Sequence, residues 1–224
     1  MQQAPETRVI SVNTTPSVIK VGKDIDLITL GRIDFTKWID KVASSFVAYA
    51  QGLVYNAVYG AASKLPAQFA VTGSLDKDKF DTLIEDVATV NASDVIIVGT
   101  KTALKKINSF YGGNGVAIDW ISDSQKESVA NTGRLGIYEG TELMEVPQRF
   151  AINDTTTKLV DNNVLLVLPK TEDKFVKFVD EGETEILEET DKGDNVDDFQ
   201  TYEICRRLGV EVVLGQYFGC YTIE

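Results

Sequence analysis

A chain of 224 residues, 43% hydrophobic and 25% charged, can bury a sizeable core in one large domain or two lobes. Its 34 acidic against 22 basic residues leave a net charge of −12, which argues against a surface that grips nucleic-acid phosphates. There is no histidine, which excludes Ser-His-Asp and Cys-His nucleophile pairs and the commonest zinc ligand; an enzyme of this composition would have to work with carboxylates, Lys, Tyr or Cys.

The opening MQQAPETRVISV has neither a basic start nor an apolar stretch, so no secretion signal is expected. Residues 1–33 read as extended chain. Segments 8–12 and 17–21 alternate apolar and polar with Pro16 between them, and 23–30 follows up to Gly31. A hairpin arm and part of a sheet are both compatible with that pattern. From residue 35 the pattern changes to a helix, with Phe35, Trp38, Ile39, Val42, Phe46, Tyr49, Ala50, Leu53 and Ala57 at i, i+3, i+4, i+7 spacing. Asp34 is placed to cap it, Asp40 lies early and Lys64 late, and Pro66 ends it. Between residues 42 and 63 there is no charge, a rise of about 33 Å that is long enough to span a bilayer. Ser44, Ser45, Gln51, Asn56, Ser63, Gly52 and Gly60 dilute that run and favour a packed beam. Ser44, Ala48, Gly52, Asn56 and Gly60 also form an i+4 ridge of small side chains, suited to close approach by another backbone.

After Pro66, residues 68–73 form a short strand or a packed loop. A second helix is predicted from Ser74, carrying Phe80, Leu83, Ile84, Val87 and Val90 on one face and stopping at Asn91. Residues 94–99 are a continuous apolar run, the mark of a strand buried on both sides, and Thr100 caps a helix through Ile107. The glycine-rich 111–115 reads as a surface loop, 121–131 as a weak helix, and 133–147 as two glycine turns followed by an alternating strand. Residues 163–169 read as another buried strand and 174–179 as a half-buried one. Segment 172–198 holds 12 acidic residues against 3 Lys, a net of −9, and reads as a solvated loop or strand edge. The rest, 202–221, reads as a long antiparallel hairpin hinged near Gly209. Cys205 and Cys220 lie within strand-like sequence and read as buried thiols, with a disulfide as the alternative.

None of the motifs carries chemistry. Gly99-Thr100-Lys101-Thr102 brushes against a phosphate loop, but Asp94 stands where the first glycine belongs and Thr100 where the lysine belongs. Asp191, Asp194, Asp197 and Asp198 could gather round Ca²⁺ or Mg²⁺, yet their spacing is not that of an EF-hand. No cofactor is expected. A cytosolic α/β nucleotide binder using residues 98–102 stays open as a second class.

In the order of its parts the chain resembles the major capsid protein of tailed bacteriophages, the Hong Kong 97-like coat fold that encapsulin shells also use. Three stretches carry the likeness: the 35–65 rod, like the family's spine helix; NTGRLGIYEGTELMEVP at 131–147; and TYEICRRLGVEVVLGQYFGCYTI at 201–223. The resemblance implies an α+β fold with an extended arm or loop remnant at 1–33. It further implies a peripheral lobe with the spine at 34–93, an axial lobe at 94–170, and an acidic segment with a return hairpin at 171–224. Only 33 residues precede the spine, so a full N-terminal arm is not expected. It implies a structural protein without catalysis, which assembles with itself as pentamers and hexamers into an icosahedral shell around phage DNA. That shell would enclose the DNA without sequence-specific binding and lie in the virion after synthesis in the host cytoplasm. Portal, scaffold and maturation protease are the further partners implied, and no membrane is. Intersubunit contacts are expected at Tyr111, Gly112, Gly113, Asn114 and Gly115, nearest the symmetry axes, and at Lys37, Asp40, Lys41, Asp180 and Glu181.

Overall fold

The computed structural model describes residues 11–24, 35–111, 123–133, 135–150, 154–171, 174–190, 199–213 and 215–224. The predicted rod is α1, Phe35–Ala62, 28 residues without a break and about 42 Å long at ~1.5 Å per residue. It ends just short of Lys64, in tight turns where the Lys64 and Leu65 N–H groups donate to the carbonyls of Ala61 and Ala62 at 3.0 and 3.1 Å, ahead of Pro66. Two of the serines that dilute it bond back to carbonyls, Ser45 to Lys41 and Ser63 to Gly60, so the helix satisfies their hydroxyls without outside partners. The Asp34 cap lies outside the described residues. Among the described residues no helix is long and apolar enough to cross a membrane.

The chain divides into two units, Met1–Val54 with Val176–Val213, and Tyr55–Phe175 with Leu214–Glu224. In the first, β1 (Thr15–Asp24), β7 (Val176–Thr190) and β8 (Phe199–Val212) form an antiparallel sheet in the order β1-β8-β7. Ile204 and Leu208 of β8 close a buried cluster with Val42 and Phe46 of α1, flanked by Ile19, Tyr49, Ala50 and Leu53. Five of these are the helix-face residues the spacing singled out, and each side chain taken fully out of water contributes roughly 1.5–3 kcal/mol. Ile39, predicted on the same face, is instead exposed.

The hairpin prediction is corrected here. Gly209 does not hinge a hairpin. It lies inside β8, paired with Val179 of β7, and a Cβ at that position would sit 2.7 Å from the carbonyl oxygen of Asn13. The glycine serves a close backbone approach, not a turn. Of the two readings of the acidic segment, loop or strand edge, the edge holds from Val176 to Thr190, which is the outer strand β7. An edge strand tolerates such charges because one side of it stays in water. The register of β7 on β8 shifts between Glu181 and Glu185, a bulge with Gly182 at φ +81°.

The second unit holds a six-stranded sheet of β2 (Ala70–Gly73), β3 (Val95–Gly99), β4 (Ile137–Tyr138), β5 (Thr141–Glu145), β6 (Val164–Pro169) and β9 (Gly219–Ile223). Their order is β2-β9-β6-β3-β5-β4. Its helices are α2 (Lys77–Asn91), α3 (Lys101–Ile107) running into a 3-10 turn at Asn108–Tyr111, and α4 (Asp123–Thr132). α2 starts at Lys77 and not at Ser74; Asp76 caps it, accepting from the Lys79 N–H, and the helix stops at Ala92 in the left-handed region (φ 48°). Thr100 caps α3 as predicted, through the Ala103 N–H. The two-residue turn of Glu139 (φ 44°) and Gly140 (φ 83°) joins β4 to β5, both residues at the positive φ such a hairpin requires.

β9 leaves the sheet of β8 altogether, running parallel to β2 and antiparallel to β6. Ile97, Leu165 and Val167 at the centre of the sheet, and Leu83, Val87, Leu104 and Ile107 of the helices, are wholly buried. At Gly219 a Cβ would meet Leu83 at 3.0 Å, so the missing side chain lets α2 lie close on β9. Phe80 is the hub of an aromatic group, with ring centroids 6.0, 5.7 and 5.8 Å from Phe110, Tyr138 and Tyr221. Cys205 is half-buried and Cys220 buried, and both are free thiols.

Candidate functional site

The residues expected at subunit contacts fall in three places. Lys37, Asp40 and Lys41 occupy the first turns of α1 with exposed side chains. Asp180 and Glu181 stand exposed on β7, just before the bulge. Tyr111 ends the 3-10 turn after α3, while Gly112, Gly113, Asn114 and Gly115 lie outside the described residues.

The two β7 carboxylates are engaged within their own unit. Asp180 pairs with the Arg206 guanidinium, which also lies 5.9 Å over the Phe46 ring. Glu181 accepts from the Thr14 hydroxyl. These bonds tie β7 to β8 and to the chain entering β1. Beyond them the bulge opens a cleft of about 300 Å³ lined by Glu181, Gly182, Glu183, Glu185, Cys205, Arg206 and Arg207. Exposed Glu183 and Glu185 keep it acidic on the outer side.

The second unit contains a charged clasp that sequence reading did not find. Lys77 Nζ lies 2.5 Å from Asp81 Oδ2 and 2.7 Å from Glu139 Oε1, and Tyr138 donates to Asp81 Oδ1 at 2.6 Å. The Lys77–Asp81 spacing is the i, i+4 pair that a helix favours and was readable; Glu139 reaches the same lysine only through the β4–β5 turn. The Asp81 carboxylate, then Glu139, raises the Lys77 pKa well above its ordinary value. Burial, then the bond to Asp81, holds Tyr138 protonated well beyond the usual phenol range. Tyr55, near the end of α1, accepts from the Asp161 N–H at 3.1 Å, and burial pushes its pKa up to about 12. It stacks on Tyr59 at 6.0 Å beside a cleft of about 650 Å³ that Thr156, Lys158 and Asn163 help to line.

The turn that brushed against a phosphate loop is packed shut. A Cβ on Gly99 would meet Leu165 at 3.0 Å and Ala103 at 3.5 Å, and Thr100 is 1% exposed with its hydroxyl spent on the helix cap. The Ala103 amide donates to the Thr100 hydroxyl and the Leu104 amide to the Thr100 carbonyl. Among the described residues no group of three or more Cys, Asp or Glu is placed to hold a metal ion; Asp191, Asp194, Asp197 and Asp198 lie outside them. The chemistry of the molecule's exterior is therefore that of surfaces: a charged helix start, an acidic strand edge and polar clefts.

Comparison with known proteins agrees. The family described as "SPbeta prophage-derived putative capsid protein YonB" matches residues 2–222. The fold is similar to that in the asymmetric unit of the bacteriophage PhiM1 mature capsid, with a TM-score of 0.64 and 10% identity, covering 100% of this chain and 78% of that one. It is similar to a chain of Microbacterium phage Oxtober96, at 0.62 and 14% identity over 95% of this chain and 73% of that one. It is also similar to the SrpI encapsulin of Synechococcus elongatus PCC 7942, at 0.55 and 10% identity over 93% and 73%. None of the curated proteins matches the chain in sequence. The α+β architecture is thus the Hong Kong 97-like coat fold that the 35–65, 131–147 and 201–223 stretches suggested.

Proposed function

Since the chain belongs to the YonB family of SPbeta prophage-derived capsid proteins and is a shell-forming structural protein, we propose that its copies close as pentamers and hexamers into an icosahedral shell around phage DNA. The observation that carries this reading is the family match over 2–222 on a chain that folds as a phage coat subunit. The shell holds its DNA without sequence-specific contacts, because a surface that is acidic overall does not trap phosphates. Its role is structural and without catalysis. The protein is made in the host cytoplasm and ends in the virion, with portal, scaffold and maturation protease as companions during assembly.

In this reading the unit of 1–54 and 176–213, with the 1–33 arm and most of the spine, builds the peripheral lobe, in place of the 34–93 and 171–224 expected from the sequence, because β2 and β9 lie in the six-stranded sheet. The unit of 55–175 and 214–224 builds the axial lobe, in place of 94–170, with Tyr111 and Gly112 to Gly115 nearest the symmetry axes. Lys37, Asp40 and Lys41 of one copy face the acidic β7 edge of the next, at Asp180 and Glu181. Support for that pairing is its charge and the exposure of both groups. Negative-stain microscopy and light scattering of the purified chain test the shell; a protein that stays monomeric at every salt and protein concentration refutes it. Lys41→Glu tests the contact: fewer particles are expected with the monomer fold unchanged, and an unaltered yield refutes it. An encapsulin-like shell with protein cargo is the second reading, favoured by the likeness to SrpI. Terminase and portal genes beside this one decide for phage.

A further inference from the structure

The two edges of the three-stranded sheet are unlike. β7 carries six carboxylates against one lysine, a net of −5, and its ladder is broken by the bulge between Glu181 and Glu185. Those are the devices by which a sheet edge refuses a partner. β1 has neither. Its ten residues keep an unshifted register on β8 from Thr15 to Asp24. It carries two lysines and one aspartate, its outer side has no strand partner among the described residues, and Val18 is 54% exposed. A long, flat, nearly neutral edge is a template for another strand.

We propose that the outer edge of β1 pairs with β1 of a second copy, antiparallel about a two-fold axis, so that two sheets become one six-stranded sheet. This rests on the shell reading and names one of its contacts. The occupant follows from charge and geometry. Two β7 edges repel each other, and the bulge leaves β7 too short a straight run to match β1. A β1–β1 pair meets neither obstacle. Register follows as well. Ile19 packs toward α1 while Val18 and Lys20 point to the opposite face. A two-fold normal to the sheet keeps both helices on one side, so residues of like parity oppose each other. Centring the axis on Lys20 sets two ammonium groups face to face, each beside its own Glu203 at 2.7 Å, which is less favourable than a lysine opposite an uncharged residue. Centring it on Ile19 pairs 15–23 along its length, places Val18 against Lys20 of the second copy, and opposes no like charges.

Cysteine pairing tests this. Val18 lies directly opposite Cys205 on β8, so a cysteine at 18 would be captured within its own chain; the variants are therefore built on Cys205→Ser. One protein carries Val18→Cys, another Lys20→Cys. Each is purified reduced, and both are mixed under assembly conditions and oxidised. The expected result is a disulfide-linked dimer in the mixture at least tenfold above that in either protein alone, since residues 18 and 18 of a pair, or 20 and 20, are diagonal and too far apart to bridge. Particles without that linkage overturn the β1 pairing and leave the shell reading standing. Equal linkage in Val18→Cys alone overturns the register and with it the proposal. Linked dimers without particles support the pairing while counting against the shell.

Discussion

Gly209→Ala and Gly60→Ala make the same chemical change with opposite expected signs. At Gly209 the added methyl would sit 2.7 Å from the Asn13 carbonyl oxygen, 3.0 Å from Val12 Cγ1 and 3.1 Å from Thr14 Cγ2. The nearest of these is backbone, so the chain entering β1 must shift. Overpacking of this kind costs about 1–3 kcal/mol, offset by about 0.5–1 kcal/mol because alanine has fewer unfolded conformations to lose. The net expectation is a loss of about 1–2 kcal/mol, a factor of roughly 5–30 in the unfolding equilibrium. Gly60 lies inside α1, where an added Cβ meets nothing within 4 Å. Only the entropy and helix-propensity gain remains, and a stabilisation of about 0.5–1 kcal/mol is expected. Urea unfolding followed by far-UV circular dichroism measures both, at one fixed concentration below that of assembly, because association adds to apparent stability. The urea slope must match the parent for the comparison to hold. A Gly209→Ala protein as stable as the parent would refute the close approach, and a destabilised Gly60→Ala would refute the open helix face.

The aromatic hub predicts that Phe80→Ala, which empties a fully buried site touched by three rings, loses about 3–5 kcal/mol in the same titration. Lys77→Met removes two ion pairs that are each partly in water; a loss of about 0.5–1 kcal/mol is expected, shrinking in 1 M salt, and a loss indifferent to salt would refute the ionic reading. Tyr55, Tyr138 and Lys77 all bind their protons more tightly folded than unfolded. Their contribution is therefore whole below about pH 10 and is lost as pH rises through the folded values, the Tyr55 share by about pH 12. Melting temperature should fall from about pH 10 upward, and less steeply in Tyr138→Phe; a slope unchanged in that variant contradicts the assignment.

The elements legible in the sequence were those whose cause is local. α1 announced itself through nine apolar residues at helical spacing, β3 and β6 through unbroken apolar runs, and α3 through Thr100. What escaped has its cause elsewhere in the chain. Gly209 looks like a turn because glycines usually make turns, and only the path of Asn13 explains it. The acidic run to Thr190 left loop and strand edge both open, because an edge strand keeps one side in water and carries no buried pattern to tell the two apart. The pairing of β9 with β2 joins residues too distant for any pattern to link. Of the residues expected at contacts, exposure was readable for Lys37, Asp40 and Lys41, but the engagement of Asp180 by Arg206 and of Glu181 by Thr14 was not.

The place of β9 between β2 and β6 bears on how the chain is made. Ala70 waits for Cys220, about 150 residues later, before its strand gains a neighbour, and at the pace of bacterial translation that is on the order of ten to thirty seconds. Until then β2 has no place in the sheet and one side of β6 is bare. A nascent or prematurely stopped subunit is left with an unfinished fold, open to chaperones and proteases. Synthesis through β9 thus becomes a condition for a closed six-stranded sheet, a check on subunit integrity that needs no separate inspector.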